Sequence, residues 1–368
     1  MKKVLIITNH SYMLYRFRLE LIQSLMKNHE VVLSMPFVGH EDDFQAMGLK
    51  CIKTDVDRRG INPKTDLKLF LRYRELLKQE KPDLVITYSI KPNIYAGLAC
   101  AMAGIPYCAN VQGLGTAFQR KSLAKVVTML YKAALRKARV VFFENAGNAQ
   151  EFIDRKIIPE ERIALLPGAG INLEAYEKKA YPDNEVVRFL YLSRIMKEKG
   201  IDELFAAMRR LYGELGNRVV LDIVGFFDDD YYKEQVDQLV ADGIAVFHGF
   251  QTEPRPYYAA ADCVVLASYH EGMSNVLLEA AATGRPVITS DIHGCKEAVD
   301  EDVTGLLCTV KDADSLYEQM LRMARMTKAE RQAMGDAGRA KMEREFEKSL
   351  VVNQTMDAIF EPAQRVKR

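Results

Sequence analysis

The stretch ASYHEGMSNVLLEAAATGRPVITSD, residues 267–291, reads as the end of a strand at Ser268, a turn carrying Glu271 and Gly272, a helix from Ser274 or Asn275 to Gly284, and a new strand from Pro286. Strand, helix and strand in so short a span make a parallel βα unit whose sheet is covered on both faces. The same alternation extends outward. In the second half the strand-like runs are RFLYLSR (188–194), VVLDIVG (219–225), IAVFHG (244–249), CVVLAS (263–268) and PVITSD (286–291). In the first half they are VLIIT (4–8), VVLSM (31–35), DLVITYS (83–89), PYCANV (106–111) and VVFFEN (140–145), with amphipathic stretches such as 17–27 and 67–79 between them. Short β-branched runs separated by helical periodicity predict an α/β fold of two Rossmann-like, doubly wound domains.

The length of 368 residues agrees, because one hydrophobic core rarely serves so long a chain. NLEAYEKKAYPDNEV (172–186) is polar, carries Pro182 and lacks an apolar period, which marks a linker. The expected organisation is a first domain over 1–171, a linker over 172–187, a second domain over 188–345, and a closing segment, 346–368, able to return to the first domain. The last helix is expected over about 337–360. Two such domains facing each other leave a cleft, and ligands of open parallel sheets bind at the carboxyl ends of the strands.

With 48% hydrophobic and 27% charged residues the chain can form packed cores, which excludes disordered, collagen-like and disulfide-scaffold classes. A net charge of +1 does not fit a generic nucleic-acid binder. The sum conceals an asymmetry: residues 1–180 hold 28 Lys and Arg against 18 Asp and Glu, and residues 181–368 hold 23 against 32. The six cysteines show no C-x-x-C spacing, so neither a zinc site nor a disulfide framework is expected, and a reducing cytoplasm fits. The first apolar run ends by Asn9, too short for the core of a signal peptide, and is expected to be a strand. The longest uncharged segment, 92–119, is interrupted by Gly97, Gly104, Pro106, Asn110 and Gln112, short of the ~20 apolar residues a membrane span needs. It reads as a buried helix and strand.

The first strand ends in Thr8-Asn9-His10-Ser11 with no G-x-G-x-x-G, which argues against a nicotinamide dehydrogenase. The chemistry concentrates instead after 267. Unpaired N–H groups at the helix start near Asn275 favour an anion, and Gly272 lets a phosphate approach the backbone. Glu279 lies more than a turn inside that helix and can face neutral hydroxyls, while Glu271 stands at its mouth. Two glutamates at this spacing occur often by chance. The stretch YLSRIMKEKGIDEL (191–204) raises the specificity: Arg194 leaves the end of the second domain's first strand, Lys199 follows, and both can reach the rim that carries Glu271. A departing diphosphate accumulates negative charge, which fixed cations stabilise more in the transition state than in the ground state.

The ordered set SRIMKEKG, DIVG, FHGF, SYHEGMSNVLLEAAATGRPVITSDIHGCKEAV and TGLL, spanning most of 188–310, resembles the retaining family 4 glycosyltransferases of the two-domain GT-B architecture. YRFR (15–18), DRRGINP (57–63), KPNIYAGLACAMAGIPYCANVQGLGTAF (91–118) and PGAGINLEAY (167–176) resemble the bacterial branch that extends polyprenyl-diphosphate-linked sugars, including N-acetylgalactosaminyltransferases. Many members carry a Gly-rich turn after the first strand, where this chain has Asn9-His10-Ser11. The resemblance implies that Arg194 and Lys199 hold the donor diphosphate, that Gly272, Met273 and Ser274 offer backbone to it or to the sugar, and that Glu279 bonds the ribose. Glu271 would lie beside the transferred sugar, either orienting its hydroxyls and stabilising an oxocarbenium-like centre, the favoured role, or acting as a nucleophile. His10, Gly113 and Gly115 are the first-domain residues expected against the donor. An acceptor with its own diphosphate needs further cations, and Arg18, Arg59 and Lys91 rank first because the branch resemblance runs through them.

From Leu84 to Phe143 no acidic residue occurs, while eight Lys or Arg do. In a helix over about 120–139, Lys121, Lys125, Lys132, Arg136 and Arg139 share one face, opposite Leu123, Val126, Val127, Leu130 and Ala134. An amphipathic helix explains the period but not the missing acids, and an anionic membrane surface is the partner that would, with lipid rather than protein insertion delivering the acceptor. Asp228-Asp229-Asp230 reads as a helix cap rather than a metal site, because Arg194 and Lys199 already supply the positive charge. The expectation is therefore a metal-independent, retaining enzyme without a cofactor. It would move an N-acetylhexosamine, N-acetylgalactosamine favoured, from a UDP-sugar to a polyprenyl-diphosphate-linked saccharide at the inner face of the cytoplasmic membrane. The rival readings are a UDP-sugar isomerase such as a UDP-N-acetylglucosamine 2-epimerase and a non-catalytic sugar-nucleotide-binding module.

Overall fold

A computed structural model describes residues 1–58, 62–114, 118 and 121–361. Two compact units divide the chain: Met1–Ala169 with the chain from Ser349 onward, and Gly170–Lys348. The first holds a parallel sheet of β1 (Lys2–Ile7), β2 (His29–Met35), β3 (Lys50–Lys53), β4 (Leu84–Tyr88), β5 (Tyr107–Val111), β6 (Val140–Phe143) and β7 (Ile163–Leu165), in the order β3-β2-β1-β4-β5-β6-β7. The second holds β8 (Val187–Leu192), β9 (Val219–Val224), β10 (Ala245–Gly249), β11 (Cys263–Leu266), β12 (Val287–Ser290) and β13 (Gly305–Cys308), in the order β10-β9-β8-β11-β12-β13. Each sheet reverses its winding beside the unit's own first strand, between β1 and β4 and again between β8 and β11. Such a switch point leaves a crevice at the carboxyl ends, because the loops of the two central strands depart to opposite faces.

Burial on both faces explains the uninterrupted apolar runs. In β1, Leu5 and Ile7 enter one core with Val32, Tyr73 and Phe143, while Val4 and Ile6 enter another with Leu14, Ile22 and Phe142. The second unit packs a single larger cluster around Phe189, Tyr191, Ile223, Val264 and Ile288. The three strands the sequence pattern missed, β3, β7 and β13, all lie at sheet edges. An edge strand of three or four residues needs no long apolar run, and KCIK and IAL have none.

Helix boundaries move for local reasons. The helix Pro63–Glu80 starts before the expected 67 because Asn62 accepts from the backbone N–H of Lys64 and Thr65, with Pro63 as the first helical residue. The expected helix over 337–360 is divided into Lys328–Lys341, a wider π turn over Met342–Phe346, and Lys348–Phe360. The last of these sends Val352 and Ile359 into the core beside β1 and stacks Phe360 on His29.

The segment expected to link the domains is fastened to the second unit. The Tyr181 hydroxyl donates to the Asp262 carbonyl (2.7 Å), and the Asn184 amide donates to the Ala260 carbonyl (3.0 Å) and the Asp262 carboxylate (2.8 Å). Tyr176 also enters the second unit's core, but the stretch beyond it is attached mainly by hydrogen bonds, which leave no apolar period. The uncharged segment 92–119 holds the short helices Pro92–Ala96 and Gly97–Ala103 followed by β5. Among the described residues no helix is long and apolar enough to cross a membrane.

Candidate functional site

The switch point of the second unit gathers the residues singled out after β8 and β11. Gly200 has φ +69°, and a Cβ there would stand 1.9 Å from the Ala267 carbonyl oxygen, so only glycine lets the two loops touch. The loops are zipped by Tyr269 N–H donating to the Glu198 carbonyl at 2.9 Å. This places Lys199 Nζ 2.5 Å from Glu271 Oε1, with both side chains largely buried. The Ser268 hydroxyl donates to the same oxygen at 2.8 Å. Arg194 is held more loosely: its Nη1 lies 3.6 Å from Asp228 and its side chain is 44% exposed, which leaves a guanidinium able to meet an incoming anion. Buried Tyr191 joins the two, donating to the Arg194 carbonyl at 2.7 Å and sensing the charges of both Glu271 and Arg194. Burial above all raises its phenol pKa, so it stays protonated.

Beyond Glu271 the turn is set from below. Gly294, at φ +90°, lies where a Cβ would come within 2.6 Å of the Gly272 carbonyl oxygen. The Gly294 carbonyl accepts from Ser274 N–H at 2.9 Å. Gly272, Met273 and Ser274 thus cross a fixed floor into the helix Asn275–Ala282. Met273 and Ser274 are buried, and Ser274 makes no side-chain cap hydrogen bond. Glu279, also buried, accepts from the Tyr258 hydroxyl through Oε2 at 2.9 Å. Sequence reading passed over Ser268, Gly294 and Tyr258: two are ordinary strand-end or loop residues, and Tyr258 is distant in sequence from the glutamate it holds. Of the aspartate run, Asp228 faces Arg194 and Asp229 accepts from Tyr231 N–H at 3.0 Å as a cap.

The first unit's switch point gathers a second group. Ser89, at φ +75°, follows β4 and donates to the Asn9 side-chain oxygen at 2.8 Å, joining the ends of β1 and β4. A non-glycine residue in that conformation is costly and concentrates at functional sites. His10 caps the following helix in an extended conformation, and among the described residues its buried Nδ1 has no hydrogen-bond partner. Burial first, and the nearby Arg58 second, lower its pKa, so the ring is neutral near pH 7. Gly113 lies in the loop after β5 with open space where a Cβ would stand.

The two described cations expected on the acceptor side, Arg18 and Lys91, have carboxylate partners. Arg18 Nη2 lies 2.7 Å from Glu144 Oε1, both largely buried, and its guanidinium stands 5.4 Å from the Tyr88 ring centre. Lys91 Nζ lies 2.7 Å from Asp66 Oδ1. Both carboxylates are far away in sequence, which hid them. Any diphosphate reaching Arg18 or Lys91 would compete with them. Arg59 and Gly115 lie outside the described residues.

Two parallel sheets, each reversing its winding beside its own first strand, define an α/β class built of two Rossmann-like units, and comparisons with known proteins give the family. Residues 187–326 match the family model described as glycosyl transferases group 1, and residues 3–145 match glycosyl transferase 4-like. The chain belongs to this glycosyltransferase family and has its α/β GT-B fold. It is 28% identical to the N,N'-diacetylbacillosaminyl-diphospho-undecaprenol alpha-1,3-N-acetylgalactosaminyltransferase of Campylobacter jejuni, over 83% of this chain and 85% of that one. It is also 28% identical to an Escherichia coli UDP-Gal:alpha-D-GlcNAc-diphosphoundecaprenol alpha-1,3-galactosyltransferase, over 72% of each. Among solved structures, Anabaena Alr3699/HepE in complex with UDP and glucose superposes with a TM-score of 0.81 at 17% identity, covering 98% of this chain and all of that one.

Proposed function

We propose that the chain is a retaining, metal-independent glycosyltransferase that moves an N-acetylhexosamine, N-acetylgalactosamine favoured, from a UDP-sugar to a polyprenyl-diphosphate-linked saccharide in bacterial glycan assembly. The observation that carries the reading is the Lys199–Glu271 pair at the switch point, beside a loosely held Arg194. A cation for the leaving diphosphate and a carboxylate for the sugar stand side by side there. Support for donor and acceptor class comes from the two relatives whose names specify diphospho-undecaprenol acceptors, one of them a transferase of N-acetylgalactosamine.

In this reading Arg194 and Lys199 neutralise the diphosphate as the bond between the anomeric carbon and the phosphate oxygen breaks, its electrons leaving with UDP. Glu271 holds sugar hydroxyls and favours the oxocarbenium-like centre electrostatically. The acceptor hydroxyl attacks from the face the phosphate leaves, and its proton passes to the departing phosphate oxygen. Arg194 and Lys199 perform the charge neutralisation a divalent ion would otherwise supply, so turnover in EDTA should match turnover in magnesium.

Arg18, Arg59 and Lys91 remain the proposed acceptor-side cations, His10, Gly113 and Gly115 the proposed first-unit contacts to the donor, and an anionic leaflet at the cytoplasmic face the proposed surface of action. The structure alters one part of that picture. On the helix Lys121–Leu135 the buried side is Ala124, Val127, Tyr131, Ala134 and Leu135, while Val126 (48%) and Met129 (63%) are exposed together with Lys125 and Lys132. Apolar side chains among cations suit shallow insertion at a headgroup layer better than contact by charge alone.

The deciding experiment incubates the protein with UDP-N-acetylgalactosamine, UDP-N-acetylglucosamine, UDP-galactose and UDP-glucose, with and without a polyprenyl-diphosphate-linked saccharide. Acceptor-dependent UDP release, greatest with an N-acetylhexosamine donor and giving an α-linked product, is expected. Epimer formation without acceptor, or binding without turnover, would overturn the proposal.

A further inference from the structure

Arg285 is fully buried, and its guanidinium donates to main-chain carbonyls. Nε donates to Tyr258 O at 3.0 Å, and Nη2 donates to Ala259 O at 2.8 Å and Ala180 O at 2.7 Å. Nη1 reaches Lys179 O (3.2 Å), Thr283 O (3.3 Å) and Gly284 O (3.2 Å). One planar cation therefore ties the helix Arg255–Ala260 to the carbonyl end of the helix Asn275–Ala282, and both to the strap at 179–180. A guanidinium suits that place because it remains charged and spreads its donors in a plane, and the carbonyl end of a helix favours a cation.

The clamp fixes the distance between the two side chains that meet inside it. Tyr258, fully buried on the first helix, donates its hydroxyl to Glu279 Oε2 on the second at 2.9 Å. A carboxylate on a long side chain is free to turn about its last torsions, and a buried donor on one oxygen sets the direction of the other. The Glu279 backbone is held as well, its carbonyl accepting from Thr283 Oγ1 at 2.8 Å.

We infer that Tyr258 is a positioning residue for donor selection: it holds one oxygen of Glu279 so that the other meets the ribose hydroxyls of the sugar nucleotide, making the enzyme select ribonucleotide over 2'-deoxyribonucleotide donors. This rests on the proposed role of Glu279 toward ribose. Tyr258 touches no substrate in this account.

The test is calorimetric titration of the full chain with UDP and with 2'-deoxy-UDP. Wild type should prefer UDP by about tenfold or more, the scale of a hydrogen bond to a charged group. Glu279→Ala should abolish the preference, and Tyr258→Phe should shrink it at least threefold while leaving 2'-deoxy-UDP affinity within twofold. A Tyr258→Phe variant that weakens both nucleotides in parallel, with the ratio unchanged, has lost packing only, which overturns the inference while the ribose role of Glu279 stands. If Glu279→Ala keeps the wild-type ratio, the ribose role itself is wrong and the inference falls with it. Should Tyr258→Phe not fold, 3-fluorotyrosine at 258 keeps the hydroxyl and strengthens it as a donor. It must then move the ratio at least twofold, and an unchanged ratio overturns the inference.

Discussion

Lys199 Nζ stands 2.5 Å from Glu271 Oε1 at the carboxyl ends of the two central strands of the second sheet. Neither group is dictated by its own helix or strand. They meet because Gly200 lets the loop after β8 lie against the Ala267 backbone after β11. Removing either charge should lower kcat and kcat/KM together by about 10²–10³-fold, as for interactions made mainly in the transition state. Steady-state rates for Lys199→Ala and Glu271→Gln check this. Equal losses in Ser268→Ala would contradict it, since that variant removes one hydrogen bond and keeps both charges.

Arg285 carries a stability prediction. Arg285→Met removes six hydrogen bonds to main-chain carbonyls. Tyr258 O keeps Ala261 N–H and Thr283 O keeps Lys179 N–H, while the carbonyls of Lys179, Ala180, Ala259 and Gly284 lose the guanidinium. At about 1–3 kcal/mol for each carbonyl left without a donor, a loss of at least about 3 kcal/mol is expected. Denaturant unfolding followed in the second unit measures it. A change below about 1 kcal/mol would mean that water replaces the guanidinium.

His10 carries a prediction in pH. Its folded pKa lies below the ordinary 6.5, with burial the larger cause and Arg58 the smaller. A lowered folded pKa means that the imidazole binds its proton more readily in the unfolded chain. Its contribution to stability is therefore complete above pH 6.5 and is lost as pH falls through the folded value. An NMR titration of the ring C–H should give a midpoint below 6.5, and Arg58→Ala should raise that midpoint without reaching 6.5.

Contact with an anionic bilayer makes a fourth prediction. Near such a surface each cation contributes about 1 kcal/mol, so Lys125→Ala and Arg136→Ala should each weaken flotation with phosphatidylserine vesicles about fivefold. Met129→Ser should weaken it further without changing its salt dependence. Equal binding to neutral and anionic vesicles would remove the role of charge, and no flotation with either would remove the membrane from the account.

What the sequence revealed follows from where the information resides. Central strands such as β1 and β11 are buried on both faces and announce themselves as apolar runs, so the α/β class could be read directly. The edge strands β3 and β13 could not. Arg194, Lys199 and Glu271 stand on two stretches that follow β8 and β11, so their place at one rim could be read from their order, with Glu279 inside the helix that follows. The partners of Arg18 and Lys91, Glu144 and Asp66, come from other elements, and no local pattern announces a contact across the fold. The same holds for Tyr258 on Glu279. The polar strap at 179–184 resembled a free linker because hydrogen bonds to carbonyls leave no apolar signature.

The most direct test of the central claim is a crystal structure of the protein soaked with UDP. The account predicts the diphosphate between the Arg194 guanidinium and the backbone at Gly272, with Lys199 turned from Glu271 toward a phosphate oxygen and the ribose at Glu279. UDP bound away from Arg194 and Gly272, with the Lys199–Glu271 pair undisturbed, would contradict it.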